Sequence, residues 1–341
     1  MMAIEETKTS VVPVTKTTEA SSLDRTLRPR SLGEFIGQAQ LKKSLQVFLR
    51  AAAERKEPLE HVLLAGSPGL GKTSLAQIIA RELKADIRVT AGPALTKIAD
   101  LAGVLTNLKP GDVLFIDEIH RLQIAVEEVL YPAMEDFSLD LVVGQGPGAK
   151  TLRLDLPHFT LVGATTRVGM LGAPLRDRFG MTYRLNFYSE EEMHTILERS
   201  ADLLTVIADD DALTEIAVRC RNTPRVANRL LKRVRDYAQV HKHRTVTRKI
   251  VREALELLEV DDRGLDATDL MVLTAMVKQF DGGPVGLQTL AAVTAEEERT
   301  LAEVVEPFLL QCGFIKRTPR GRVVTEAGLK HLGASSNRRL I

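Results

Sequence analysis

The sequence predicts an α/β protein: a parallel-sheet domain, then a smaller helical domain, then a compact unit of helices closed by a basic β-hairpin. Three observations carry that expectation. The stretch "GSPGLGKTSLAQIIA", residues 66–80, is a glycine loop set between an apolar strand and an amphipathic helix. Continuous apolar runs such as "DVLFIDE" and "FTLVGATTR" alternate with helical patterns, as strands of a parallel sheet buried on both faces do. After residue 188 helical patterns take over, until "GFIKRTPRGRVVTEAG" near the C-terminus reads as strand, basic turn, strand.

The chain has 341 residues, enough for two or three domains. Its hydrophobic content of 44% and mean hydropathy of −0.03 are those of an ordinary globular protein. No apolar run approaches the length of a membrane span, and the first residues are polar and Thr-rich, unlike a secretory leader. The two cysteines, Cys220 and Cys312, lie far apart without metal-ligand spacing. A cytoplasmic chain with no membrane partner is the expectation. Net charge is +1, but its distribution is uneven. Residues 219–252 hold twelve Lys/Arg against one Asp, read as solvated helix faces; residues 310–341 hold seven against one Glu.

Taken in order, residues 1–22 lack periodicity and read as a disordered tail. A patterned domain spans 23–188. "HVLLAG" is its first strand, "IRVTAG" its second, "DVLFIDE" its third and "FTLVGATTR" its fourth. Between the last two, "SLDLVVGQGPGAKTLRLDL" alternates, turns through Gly144, Gly146, Pro147 and Gly148, and alternates again, a protruding hairpin. A helical domain spans 189–260, opened by a capping box of Ser189 and Glu192. Within it "NTPR" starts another helix, with Thr223 at the N-cap and Pro224 in the first turn. Residues 261–341 contain three short helical patterns before the basic hairpin, the pattern of a winged helix.

The glycine loop fits G-x-x-x-x-G-K-[ST], a phosphate-binding loop. Gly66, Gly69 and Gly71 let successive N–H groups point inward at phosphate oxygens, and the following helix N-terminus favours negative charge. Lys72 is placed to reach the β- and γ-phosphates of ATP, and the Thr73 hydroxyl to ligate Mg²⁺. The "VLFIDEIHRL" segment ends a buried strand in two acids. Such acids are costly without a cation, which suits Asp117 to Mg²⁺ and Glu118 to activating the attacking water. Thr165 or Thr166 sits where a polar sensor would touch the γ-phosphate, Thr165 being the preferred candidate. "APLRDRFG" offers Arg176 and Arg178, one for an arginine-finger role and the other for a structural salt bridge. Arg225 opens the "TPRVANRLL" helix and is a candidate nucleotide contact from the helical domain.

In this order, the phosphate loop, "FIDEIHRL", "GATTR", "PLRDRFG" and "TPRVANRLL" resemble an AAA+ ATPase. "LRPRSLGEFIGQ", "EEVLYPAMEDF", "FDGGPVGL" and "RTPRGR" are more specific and resemble the RuvB family of bacterial Holliday-junction branch-migration motors, over residues 24–332. The resemblance implies a large ATPase domain, a small helical lid and a winged-helix head. It implies a homohexameric ring around duplex DNA, working with RuvA at the junction and RuvC in the resolving complex. Residue by residue it implies nucleotide contacts at Leu27, Arg28, Gly69, Gly71, Lys72, Thr73 and Ser74, at Glu135, Asp136 and Phe137, and at Tyr188 and Arg225. Arg178 matches the finger, and the 138–155 hairpin matches the element that docks RuvA, with Leu141, Val142 and Val143 an apolar edge suited to a partner. The sequence departs from the family pattern at Ser67, Ser74 and Asn222; the last keeps a turn available, since Asn tolerates positive φ.

For DNA, "KRTPRGR" sets Lys316, Arg317, Arg320 and Arg322 around a tight turn, suited to phosphate contact, with Arg299 a further candidate on a preceding helix. No aromatic ladder accompanies them, which favours sequence-independent duplex binding over base stacking. Two other readings compete. A clamp-loader-like AAA+ switch shares the core but should lack the wing and the hairpin. A winged-helix regulator that uses ATP only to set its assembly has no need of a water-activating Glu118.

Overall fold

The computed structural model describes residues 25–143 and 150–333. The 1–22 tail, the turn through Gly144, Gly146, Pro147 and Gly148, and the side chains of Leu141, Val142 and Val143 lie outside what it describes.

Helix α1 (Ala39–Arg55) leads into β1 (Val62–Ala65), the glycine loop and α2 (Lys72–Glu82). There follow β2 (Ile87–Ala91), α3 (Ile98–Leu105), β3 (Val113–Asp117), α4 (Ile124–Glu135), the hairpin β4 (Ser138–Val143) and β5 (Lys150–Asp155), then β6 (Thr160–Thr165), α5 (Ala173–Arg176) and β7 (Met181–Arg184). The five long-range strands form one sheet in the order β2-β3-β6-β1-β7, and every pairing is parallel. Successive residues of each strand serve opposite faces. Val62, Leu64, Val113 and Phe115 join one core with Leu75, Ile78 and Ile79 of α2. Leu63, Leu114, Ile116 and Leu161 join another with Leu101 of α3 and Leu130 of α4. This is why the strands read as unbroken apolar runs. β4 and β5 pair only with each other, from Ser138↔Asp155 to Val143↔Lys150.

The lid comprises α6 (Glu190–Leu203), α7 (Asp210–Arg219), α8 (Pro224–Val240) and α9 (Arg248–Leu257). Its buried residues Met193, Leu197, Leu230 and Leu231 belong to the same core as β1 and α2, so lid and sheet share apolar contacts. The Ser189–Glu192 capping box is formed, with Glu192 N–H donating to Ser189 Oγ at 3.1 Å. Thr223 does occupy the N-cap of α8, but its hydroxyl donates to the Arg221 carbonyl (2.8 Å) and caps nothing. The preceding residues Arg221 and Asn222 both have positive φ, and that tight turn brings the carbonyl under the hydroxyl.

The basic stretch 219–252 is only partly a solvated face. Arg219, Arg248 and Arg252 converge on the buried Glu215, and Arg221 is buried against Asp266 and Asp269. Unpaired, those acids would be costly to bury, so four of the twelve cations are internal compensation.

The head begins with α10 (Ala267–Phe280) and α11 (Leu287–Thr294). A single rod follows: α12 (Glu298–Thr300), a π-helical stretch over Leu301–Val305, and α13 (Glu306–Gln311). β8 (Ile315–Thr318), β9 (Gly321–Val324) and α14 (Glu326–His331) complete it around a separate core of Leu273, Met276, Leu309 and Phe314. Among the described residues no helix is long and apolar enough to cross a membrane.

Candidate nucleotide site and nucleic-acid interface

β1 ends in the glycine loop, and α2 begins at Lys72. Gly69 (φ 82°) and Gly71 (φ 103°) adopt the left-handed conformation, which aims the loop's amides inward. A β-carbon at Gly69 would lie 2.7 Å from the Thr223 methyl and 2.9 Å from the Arg225 Cβ, so the lid rests directly on the loop. The cleft formed there has a volume of about 520 Å³. Leu27, Arg28, Gly69, Gly71, Lys72, Thr73, Ser74, Tyr188 and Arg225, nine of the residues named from the sequence, line it, as do Asp117 and Glu118.

The polar groups in this cleft suit a polyphosphate and a divalent cation. Lys72 Nζ donates to the Gly66 carbonyl (2.7 Å) and the Ser67 carbonyl (2.9 Å), weak partners for an ammonium that a phosphate oxygen would better satisfy. Burial, against the attraction of Asp117, pulls the Lys72 ammonium down to about 8. Asp117 lines the cleft, and its Oδ1 accepts from Glu118 N–H at 3.0 Å. The Thr166 hydroxyl is buried in the same cleft and, among the described residues, has no hydrogen-bond partner, the state expected of a group whose partner is a ligand.

That last observation separates the two threonines. Thr165 is fully buried and its hydroxyl engages His120 Nδ1 (3.0 Å) and Arg167 N–H (3.0 Å), not the cleft. β6 ends at Thr165 and Thr166 is the first residue beyond it, at a bend, so the two side chains leave the strand end in different directions. Burial lowers the His120 pKa, which favours the neutral imidazole beside that hydroxyl.

Glu118 has φ 50°, a left-handed position for a residue with a side chain, and Gly92 makes room for its carbonyl: a β-carbon there would be 2.5 Å from Glu118 O. Arg121 Nη1 donates to Glu118 Oε2 (2.9 Å) and Arg299 Nη2 to Oε1 (2.6 Å). Although burial opposes it, these guanidiniums hold the carboxyl below the usual glutamate range.

Of the nucleotide contacts that the family resemblance implies, four lie outside this cleft. Glu135, Asp136 and Phe137 end α4, and Arg178 Nη2 donates to Glu135 at 3.2 Å while its guanidinium stacks on Tyr131 at 4.3 Å. Arg178 Nη1 donates to the Pro174 carbonyl (2.7 Å), and its buried Nε has no partner among the described residues. Arg176 pairs loosely with Asp177 at 3.8 Å.

Conversely, sequence reasoning missed Arg199, Asn228, Arg229 and Lys232, which line the cleft from the lid. Arg225, Asn228, Arg229 and Lys232 follow the i, i+3, i+4, i+7 spacing of one helix face, and that signal was present in the sequence. Arg199 also donates to Leu27 O (2.9 Å) and Glu34 (2.8 Å), tying α6 to the N-terminal segment.

In the head, the wing's cations divide into two sets. Arg317 and Arg322 both chelate the buried Glu306, at 2.8 and 2.7 Å. Among the described residues Lys316 and Arg320 have no acidic partner; both are exposed, and with Pro284, Thr318 and Pro319 they line a shallow cavity of about 420 Å³. Arg299 is engaged with Glu118 and Glu303.

Comparison with known proteins agrees with this anatomy domain by domain. The model of the Holliday junction DNA helicase RuvB P-loop domain matches residues 27–185, that of the RuvB AAA lid domain 188–261, and that of the RuvB C-terminal winged-helix domain 262–333. The chain is 59% identical over 315 residues to the Holliday junction branch migration complex subunit RuvB of Dehalococcoides mccartyi, covering 92% of this chain and 90% of that one. It superposes on the Thermotoga maritima RuvB Holliday junction branch migration motor with a TM-score of 0.85 at 52% identity, over 91% of this chain and 99% of that one. An arginine-to-alanine variant of the same Thermotoga protein gives a TM-score of 0.84 at 52% identity, over 90% and 98% of the two chains.

Proposed function

Because the chain belongs to the RuvB family, we propose that it is an ATP-driven motor that moves Holliday junctions along DNA in recombination and repair. It acts as a homohexameric ring in the cytoplasm, with RuvA docked on the 138–155 hairpin and RuvC joining for resolution. The observation that carries this reading is the continuity of one chain from a phosphate-binding cleft, through a lid resting on Gly69, to a head with an exposed basic wing. A clamp-loader-like switch expects neither the wing nor the hairpin.

In this reading bound ATP and Mg²⁺ supply a phosphoanhydride bond and a charge that neutralises its oxygens. Lys72 leaves the loop carbonyls for the β- and γ-phosphates. Thr73 and Asp117 would hold the metal, and Glu118 would orient the attacking water. Thr166, whose hydroxyl awaits a partner, takes the sensor role in place of Thr165, which positions the strand end through His120. Arg178, which does not line the cleft of its own chain, serves a neighbour's nucleotide, together with the Glu135–Phe137 segment. Lys316 and Arg320 contact duplex phosphates, while Arg317 and Arg322 shape the wing through Glu306.

The lid conveys the nucleotide state to the head over five residues. Arg225 lines the cleft and Thr223 touches the loop. Asn222 Nδ2 donates to the Tyr188 carbonyl at 2.6 Å, and Tyr188 OH donates to the Leu70 carbonyl at 3.0 Å. Arg221 holds the head through Asp266 and Asp269 (2.6 Å to the latter) and through the Gly264 carbonyl (3.1 Å). The test is ATP-driven dissociation of a synthetic four-way junction. Movement that Lys72→Ala abolishes supports the motor; ATP hydrolysis without movement, RuvA being present, contradicts it.

A further inference from the structure

Arg299 was a DNA candidate by sequence, yet it sits where the head meets the catalytic face of the ATPase domain. The contact is an alternating chain of five charges. Arg121 donates to one Glu118 oxygen and Arg299 to the other. Glu303 in turn accepts from Arg299 Nε at 2.9 Å and pairs with Arg167 at 3.2 Å. Glu118, Arg121 and Arg167 belong to the ATPase domain, Arg299 and Glu303 to the head. Each Glu118 oxygen accepts a charge-assisted bond from a guanidinium, so the carboxylate is pinned in one orientation and only its remaining lone pairs, in the directions that orientation gives them, are left for the proton of an attacking water. Two further features mark this as a built contact. Glu118 is held at positive φ, a conformation that persists only where its surroundings over-determine it. The segment carrying Glu303 is π-helical, an arrangement concentrated at functional sites because it shifts the side chains of a helix out of register.

We propose that Arg299 is a positioning residue for hydrolysis: it holds Glu118 off the water in the resting chain and releases it when the head is displaced by duplex DNA. The inference rests on the reading of Glu118 as the water-activating group. It makes the head an inhibitor in cis as well as a DNA-binding module, so that turnover and engagement of the track are coupled at one ion pair. Glu303 is the second positioning group, because it orients the Arg299 fork and anchors it to Arg167.

The test measures kcat and KM for ATP of the full chain with Mg²⁺, at a concentration where ring assembly is matched, with and without duplex DNA. Pairs as exposed as these are each weak, so Arg299→Ala is expected to raise the DNA-free kcat by about two- to fivefold. KM should be unchanged and the stimulation by DNA correspondingly smaller. Arg299→Lys, which keeps the charge but not the fork that bridges Glu118 and Glu303, should fall between wild type and Arg299→Ala, and Glu303→Gln should shift kcat in the same direction by less. A DNA-free kcat that is unchanged or lower in both Arg299→Ala and Glu303→Gln overturns the proposal. Loss of duplex affinity with that kcat unchanged would make Arg299 a DNA contact instead. Glu118→Gln tells the two readings apart: if it hydrolyses ATP like wild type, the assignment of the base is at fault. If it is inactive while Arg299→Ala is unchanged, the positioning role alone fails.

Discussion

Arg221→Met tests the joint between lid and head. The Arg221 guanidinium is buried, pairs with Asp266 and with the fully buried Asp269, and lies 4.8 Å over the Phe308 ring. Methionine keeps much of the volume but leaves the Asp269 carboxylate without its counter-charge. Removing one partner of a buried pair costs about 3–5 kcal/mol. The cost should depend on pH with a definite sign. Burial, against the pull of Arg221, already pushes the Asp269 carboxyl up to about 7, from 3.8. An acid raised in the folded state favours folding below its unfolded value, and that contribution is lost as pH rises from about 4 through about 7. Without the guanidinium the acid weakens further. The variant's deficit should therefore be smaller at pH 6 than at pH 8.5, by about 1.4 kcal/mol for each tenfold weakening. Urea denaturation followed by far-UV circular dichroism at the two pH values measures this, with Arg221→Met/Asp269→Leu as the companion. The double variant should recover most of the loss, since an apolar pair can replace a buried ionic one. A single-variant cost below about 1 kcal/mol, a deficit that does not change with pH, or a double variant no better than the single would each refute this account of the joint.

Further outcomes follow from the nucleotide cleft. A methyl group at Gly69 would have to share space with Thr223 and Arg225 at positive φ, so Gly69→Ala should keep the fold yet weaken nucleotide binding by about tenfold or more; unchanged affinity in a fluorescent-nucleotide titration would show that the lid does not bear on the loop. Burial pulls the Lys72 ammonium down to about 8, and phosphate favours the charged form. Binding at pH 8.5 should take up protons and binding at pH 6.5 should not, as read by calorimetry in buffers of different ionisation enthalpy; proton release at pH 8.5 would contradict the assignment. Arg178→Ala should bind ATP but not turn it over, and mixing it with Glu118→Gln subunits should restore some activity. Mixtures inactive at every ratio would argue against a finger acting on the neighbour.

Much of this protein can be read from residue patterns, and the exceptions share a cause. The strands, the glycine loop and the capping box at Ser189 are local, and local signals of period and turn chemistry suffice for them. What escaped is set by tertiary contact. Whether Thr165 or Thr166 faces the cleft depends on how β6 seats beside β3 and β1, a choice that a two-threonine sequence leaves open. The basic stretch 219–252 looked solvated because Glu215, Asp266 and Asp269, which neutralise it, lie outside the window that was counted. Arg299 and Glu118 are 181 positions apart, and nothing in either neighbourhood announces the other. Arg229 and Lys232 were legible as part of the Arg225 helix face and went unused.

The central claim is that this chain converts ATP hydrolysis into movement of a DNA junction through its head. The most direct measurement is dissociation of a synthetic four-way junction, with and without RuvA, comparing wild type with Lys72→Ala and Arg320→Ala. The account predicts ATP-dependent dissociation that Lys72→Ala abolishes, and that Arg320→Ala weakens more at low salt than at high, as loss of a phosphate contact requires. ATP hydrolysed at wild-type rates with no junction moved, RuvA present, would contradict it.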